Sequence, residues 1–196
     1  LKAQGPMSEP TVMRLLLDVA RALQYAESQR LVHRDIKPDN ILVNEEGVFK
    51  VADLGIAMQV SADGLAHQDR IFGSPHYVAP EQARGEAIDG RADLYALGAS
   101  IWHLVSGRTI FTGTSRQVVA AHIGQELPDL GELCPDLSEA LCELVYDLLE
   151  KNPADRPANA GEVLKRLDEV QAQARKEATA SRPRPRRRIV RRRRRR

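Results

Sequence analysis

Val12, Leu15, Leu16, Val19, Leu23 and Ala26 recur at intervals of three and four, which puts apolar side chains on one face of a helix. Ser8 ahead of Pro10 reads as the start of that helix, with serine as N-cap and proline in the first turn. The helix is expected to run to about Gln29 and to lie against a core. The period then shortens. Ile41-Leu42-Val43 and Val48-Phe49-Lys50-Val51 flank Asn44-Glu45-Glu46-Gly47, the pattern of a β-hairpin. Residues 93–107 are apolar nearly all round, as in a helix buried at the centre of a domain, and Gly107 marks its end. Residues 117–123, 138–150 and 161 to about 175 read as further amphipathic helices, the second capped by Ser138. Between hairpin and central helix, residues 57–73 are polar, with Gly64, Gly73 and no clear period. A loop of that length is expected to be functional or mobile.

The candidate chemistry sits just before the hairpin, in His33-Arg34-Asp35-Ile36-Lys37-Pro38-Asp39-Asn40. A carboxylate at Asp35 can take a proton from a hydroxyl. The ammonium of Lys37 can sit beside a transferring phosphate. The Asn40 amide oxygen is a hard ligand suited to Mg²⁺. Pro38 keeps Lys37 out of the helical region, so the stretch is expected to be a loop. The hairpin should present Asn40 at one end and Asp53 at the other, bringing two oxygen ligands together across a gap in sequence.

This octapeptide resembles the catalytic loop of eukaryotic-type protein kinases. Asp53-Leu54-Gly55 follows where that family keeps its metal-binding D-F-G, with Leu54 in place of the usual Phe, and Ala79-Pro80-Glu81 stands where A-P-E ends the activation segment. Three motifs in this order and spacing are far more specific than one. Gly73-Ser74-Pro75-His76-Tyr77-Val78-Ala79-Pro80-Glu81 is similar to the family's G-T-P-x-Y-M-A-P-E. With Lys37 it resembles the serine/threonine-specific, bacterial-like branch.

The resemblance implies an α+β protein-kinase-like fold. This chain would be its mainly α-helical C-terminal lobe with a short β-hairpin, over residues 1–172, the small N-terminal lobe being absent. No glycine-rich loop, partner lysine or partner glutamate precedes His33. Residues 1–5 would end the short helix after the interlobe hinge. Asp35 and Lys37 become the catalytic pair, with Asn40 and Asp53 holding Mg²⁺ against the phosphates of ATP. Leu42 forms the floor under adenine, with Ile41 and Val43 packed behind it. Ser74 would bond Asp35 and Lys37, Glu81 would pair with Arg156, and Asp93 would anchor the backbone of the catalytic loop. A plain core helix with Asp93 as its N-cap predicts nearly the same. Arg34 would need an anion, supplied by phosphorylated Ser61 or by Asp63 or Asp69, with Ser61 slightly favoured. His33 is expected to be packed in the core rather than to act as a base. Histidines 67, 76, 103 and 122 lack metal-ligand spacing. The function implied is transfer of the ATP γ-phosphate to Ser/Thr hydroxyls of proteins. The alternative is a non-catalytic kinase-like interaction module, against which the intact Asp35, Lys37, Asn40 and Asp53 speak. A basic-tail binding protein with an incidental fold is the weakest reading.

Composition refines this. The 196 residues suffice for one domain with a real core, and aromatics at 4% imply that the core is mainly Leu, Val, Ile and Ala. The two cysteines, Cys134 and Cys142, match no zinc spacing and make no disulfide framework, which points to reduced thiols in a cytosolic setting. The net charge of +2 conceals a split: residues 182–196 hold eleven of the 29 basic residues, leaving 18 against 27 acids and a net −9 for the rest. Residues 173–196 are expected to form a disordered, Arg-rich tail. Three readings of it stay open. The favoured one places it, as in membrane-linked bacterial kinases, on the cytoplasmic side against an anionic membrane surface. The next makes it a solvated or translation-artefact end. Nucleic-acid binding is the least favoured. Leu1 is not a natural initiator, so the sequence is expected to begin within a longer gene. No signal-peptide pattern opens it, and no apolar run approaches the ~20 residues of a membrane span.

Overall fold

The computed structural model describes residues 5–53, 57–61, 64–66 and 73–180, with side chains to Gln173. Residues 1–4, where the end of a preceding helix was expected, lie outside that set, as do Leu54, Gly55, Asp63, His67, Asp69 and residues 181–196.

The first helix, α1, spans Glu9–Ser28 and buries Val12, Leu15, Leu16, Val19 and Leu23, the positions its period marks. Ser8 occupies the N-cap with extended backbone, but its hydroxyl bonds the Thr11 hydroxyl at 3.0 Å instead of a backbone N–H. The start is fixed by proline in the first turn, whose missing N–H costs nothing there.

The central helix α3 (Gly90–Ser106) is buried almost throughout, and Gly107 ends it in the left-handed conformation at φ 72°. It begins three residues earlier than the apolar run suggests. Its N-cap is Asp89, whose carboxylate accepts from the Arg91 N–H at 2.9 Å; Asp93 is therefore free for another task. A Cβ on Gly98 would lie 2.8 Å from the Leu148 Cβ, so only glycine admits the neighbouring helix this close. The largest fully buried side chains are Trp102 and Tyr95, set within an otherwise aliphatic core.

The hairpin forms as the alternation requires. Strand β2 (Ile41–Val43) pairs antiparallel with β3 (Phe49–Val51) in the register Ile41↔Val51, Leu42↔Lys50 and Val43↔Phe49. Val48 falls in the turn, its N–H held by the Asn44 side chain at 2.8 Å. The Phe49 N–H donates to Asp18 of α1 at 3.0 Å, fixing the hairpin to that helix. Ile41 is fully buried. Val43 is 48% exposed, so it does not pack behind Leu42 as expected: the strand has left the core within two residues.

Residues 57–73 are not wholly irregular. Met58–Gln59 forms strand β4, antiparallel to β1 (Leu31–Val32), and Ala66 bridges Ile88. Two-residue strands are too short to show a period. The remaining helices are α2 (Pro80–Ala83), α4 (Ser115–Gly124), α5 (Leu130–Leu133), α6 (Glu139–Leu148) and α7 (Ala160–Ala180). A Thr114–Gln117 capping box starts α4 and the Ser138 hydroxyl caps α6. Cys134 is half-buried, Cys142 is buried, and both are free thiols. No helix among the described residues is long and apolar enough to cross a membrane.

Candidate active site

The stretch His33–Asn40 runs between β1 and β2. It is not a plain loop: Lys37 is extended, as a residue before proline must be, and Pro38–Asn40 then closes one 3₁₀ turn. That turn carries Asn40 back under Asp35. The Asn40 side-chain NH₂ donates to the Asp35 backbone oxygen at 2.8 Å and to its Oδ2 at 3.0 Å.

Asp35 is the meeting point. Lys37 Nζ donates to its Oδ2 at 2.6 Å and to Ser74 Oγ at 2.9 Å. The Ser74 hydroxyl and N–H both donate to Asp35 Oδ1, at 3.0 and 3.2 Å. Burial raises the Asp35 pKa, but the bonds from Lys37, Ser74 and Asn40 outweigh it and hold the carboxyl below its ordinary value. The group is thus an anion with both oxygens held, partly open to solvent. Ser74 joins the site from a point remote in sequence, as the resemblance implied.

The backbone beneath is held from α3. Both oxygens of Asp93 accept loop N–H groups, from His33 at 2.7 Å and from Arg34 at 2.8 Å. Burial pushes the Asp93 carboxyl up to about 7 against the pull of these donors. Arg34 has a left-handed backbone at φ 69°, costly for a bulky side chain. Its N–H is held by Asp93 and its carbonyl accepts from Gln82 Nε2 at 3.0 Å, so both ends of the strained residue are clamped. Gly73 sits against the same carbonyl at φ 111°, where a Cβ would come within 3.0 Å of the Arg34 oxygen. The role of Gln82 was not read from the sequence: it follows the A-P-E motif without any pattern of its own.

Asp53 arrives from the other end of the hairpin. The Ala52 N–H donates to the Asn40 carbonyl at 2.8 Å, and the Ala52 carbonyl lies 3.2 Å from His33 Nε2. Asp53 itself is exposed, with φ 65°. Asn40 and Asp53 are thereby neighbours through one backbone bond. With its NH₂ committed to Asp35, Asn40 keeps its amide oxygen as the acceptor that a cation could use. An amide oxygen and a carboxylate are hard donors, and two protein ligands suit Mg²⁺, which keeps waters and phosphate oxygens in its remaining positions. His33 is 3% exposed and its pKa is lowered, chiefly by burial, so it is a neutral packed residue as expected. Leu42 faces outward from β2 and is 55% exposed.

The Arg34 guanidinium reaches Met58 Sδ at 3.5 Å. Ser61 lies three residues further along that chain, past Arg30, whose carbonyl accepts the Val60 N–H at 2.7 Å. The β1–β4 pairing therefore puts Ser61 toward the end of β1 away from Arg34, contrary to the preference for it as the partner anion. On the far side, Arg156 grips Glu81 with two bonds of 2.7 and 2.8 Å in a buried pair. The remaining donors of Arg156 go to the carbonyls of Glu150, Arg91 and Lys151. The expected partner is correct, and its role is to fasten the segment after Ser74 to α3 and the loop before α7.

The protein kinase domain model matches residues 1–167, and the chain belongs to the protein kinase family. Among curated proteins it is 36% identical over 171 residues to a probable serine/threonine-protein kinase of Clostridium perfringens, covering 87% of this chain and 25% of that protein. It is 34% identical over 157 residues to serine/threonine-protein kinase PrkC of Bacillus subtilis (80% and 24%), and 37% identical over 193 residues to serine/threonine-protein kinase pkn3 of Myxococcus xanthus (93% and 35%). The chain spans about a quarter to a third of the length of these relatives.

Proposed function

We propose that residues 1–172 are the larger, C-terminal lobe of a serine/threonine protein kinase that transfers the ATP γ-phosphate to protein Ser/Thr hydroxyls. The observation that carries this reading is the convergence on Asp35 of Lys37, Asn40 and Ser74. Asp35 receives the hydroxyl proton of the substrate. The hydroxyl oxygen forms its bond to phosphorus as the bond from the γ-phosphorus to the leaving ADP oxygen breaks. Lys37, 2.6 Å from Asp35, lies within reach of the transferring group and offsets its charge. Asn40 and Asp53 would hold Mg²⁺, which neutralises phosphate charge when bound. Leu42 is the apolar floor under adenine, and its exposure fits a surface that a nucleotide and an upper lobe cover. The named serine/threonine kinases among the relatives support the same activity and substrate class.

On this reading the protein acts in the cytoplasm; residues 173–180 belong to α7 rather than to a tail, and the Arg-rich segment of residues 182–196 can meet an anionic membrane surface when it is not held by the chain itself. The experiment is transfer of labelled phosphate from ATP to a protein substrate by the natural full-length protein. Asp35→Ala is expected to reduce turnover by about 10²–10⁴-fold, the usual worth of a positioned acid–base group. Undiminished turnover in a folded Asp35→Ala variant overturns the assignment.

A further inference from the structure

The described surface holds a groove far from Asp35 that the phosphotransfer reading does not use. It lies where the N-terminus of α1, the C-terminus of α3 and the α5–α6 connection meet. Its volume is about 500 Å³, and Met7, Leu133 and Leu137 give it an apolar floor beside Cys134, Glu9 and Asp136. Its surroundings are acidic. Asp129, Glu132, Asp136 and Glu139 are all exposed. Glu9 accepts from the Ser138 N–H and hydroxyl at 2.7 Å each, which ties α1 to the start of α6 at the rim. Burial raises the Cys142 thiol pKa first and Cys134 next, and the charges of Glu9, Asp129 and Glu139 raise it further. Arg108, beside Cys134, is the basic group that faces them among the described residues.

The path of α7 says what reaches this groove. The helix begins at the C-terminal end of α1, where the Ala160 N–H donates to Glu27 at 3.0 Å. It packs back along α1, burying Val163, Leu167 and Val170. Arg166 pairs with Asp147 near the end of α6, the helix whose beginning is held by Glu9. Both flanking helices therefore direct α7 toward the end of the molecule that carries the groove. Its 21 residues rise about 30 Å, the length of α1. The next residues in sequence are Ser181-Arg182-Pro183-Arg184-Pro185-Arg186-Arg187-Arg188.

We propose that this groove is the docking site of the chain's own Arg-rich segment, residues 182–196. Charge complementarity and delivery by α7 carry the proposal: eleven arginines follow a helix directed toward an apolar-floored groove lined by Glu9 and Asp136, with Asp129, Glu132 and Glu139 exposed on the adjoining segments. Arginine suits such a rim because it pairs with carboxylates in a fixed fork while its stem lies on apolar surface. The Arg-Pro alternation favours an extended backbone that can lie in a groove. The tether raises the local concentration of the tail to the order of millimolar, so weak contacts suffice.

The test uses the full 196-residue chain. Asp136→Lys with Glu139→Lys reverses two exposed rim charges that take no part in the Asp35 site. The rate at which trypsin removes the tail is measured by mass at about 20 mM and about 0.5 M salt, which moves exposed-charge interactions from strong to screened. The expected result is that the unaltered chain loses its tail about fivefold or more slowly than the variant at low salt and at the same rate at high salt. Equal rates at low salt overturn the proposal. A tail protected equally in both proteins is held elsewhere, for example at the Asp35 cleft, and also overturns it. If the variant does not fold, the backbone amide resonances of Leu133, Cys134, Asp136 and Leu137 decide, compared between the unaltered chain and one with its tail arginines changed to glutamine. Tail-dependent shifts that vanish with salt support docking, and their absence refutes it.

Discussion

Ser74 shows how much of the site depends on single atoms. Its hydroxyl is donor to Asp35 and acceptor from Lys37, while its N–H holds the same Asp35 oxygen. Ser74→Ala keeps the N–H bond and removes the hydroxyl that locks acid and cation together. The expected loss in kcat is about tenfold to a hundredfold, from misplacement of reacting groups, with KM for ATP little changed. Ser74→Thr, which retains the hydroxyl, should restore most of it. A loss in Ser74→Thr equal to that in Ser74→Ala would mean the hydroxyl is not what matters. His122 makes a separate prediction about stability. It is fully buried, with Nδ1 on the Tyr95 hydroxyl at 2.8 Å. Burial first, and the charge of Lys151 next, push its pKa down to about 4. The folded pKa lies below the unfolded one, so the unfolded chain takes up the proton first. The stability that neutral His122 contributes is complete above about pH 6.5 and is lost as pH falls toward 4, roughly 3 kcal/mol in all. His122→Gln, which does not titrate, should flatten denaturant-derived stability across that window. His33 and His103, lowered by burial, leave a slope in the same direction, and Asp93 and Glu27, raised by burial, leave one of opposite sign, so the test is the difference between the two proteins' profiles. An unchanged pH profile would count against a neutral His122 in the fold.

At the scale of elements, α3 organises the site through its first two turns. Asp93 holds two N–H groups of the catalytic loop and Arg156 clamps Glu81 to the Arg91 carbonyl. Asp93→Asn leaves one loop N–H facing a donor instead of an acceptor. It should cost about 1–3 kcal/mol and lower activity without altering substrate contacts. Arg156→Ala strands Glu81 in the interior and should cost about 3–5 kcal/mol. Thermal unfolding of the two variants checks both, and changes under about 0.5 kcal/mol would show that neither network is structural. These elements differ in how far the sequence disclosed them. The helix period, the hairpin alternation and the HRDIKPDN, DLG and APE motifs are local patterns, and they located α1, β2, β3 and each proposed site residue. Glu81–Arg156 was reachable only through the family resemblance, since 75 residues separate the two. Strand β4 and the Gln82 bond to Arg34 left no mark, because each depends on a few residues meeting a distant backbone; the Asp89 cap is local but precedes the apolar run, which starts at Asp93. Ser61 was misjudged for the same reason: the strand pairing that carries it past Arg30 is invisible in a two-residue strand.

For the whole molecule, the exposed apolar side chains of the hairpin are the conspicuous feature. Leu42, Val43 and Val48 are 55%, 48% and 39% exposed on one short element, while the core behind Ile41 is closed. A nucleotide and a covering lobe would remove this surface from water; a chain lacking them should associate. Val43→Thr with Val48→Thr should raise the concentration at which the isolated chain begins to aggregate, measured by light scattering, and leave thermal stability within about 0.5 kcal/mol because neither side chain is in the core. No gain in solubility would place the sticky surface elsewhere. The same hairpin follows Asn40 directly and leads to Asp53, with Ala52 bonded to the Asn40 carbonyl, so the account stands or falls on whether those two side-chain oxygens serve one ion. Anomalous diffraction from the chain crystallised with Mn²⁺ and an unhydrolysable ATP analogue tests this directly. The account predicts a metal peak within about 2.2 Å of both the Asn40 amide oxygen and the Asp53 carboxylate. A metal bound to only one of them, or held elsewhere with the nucleotide in place, would contradict it.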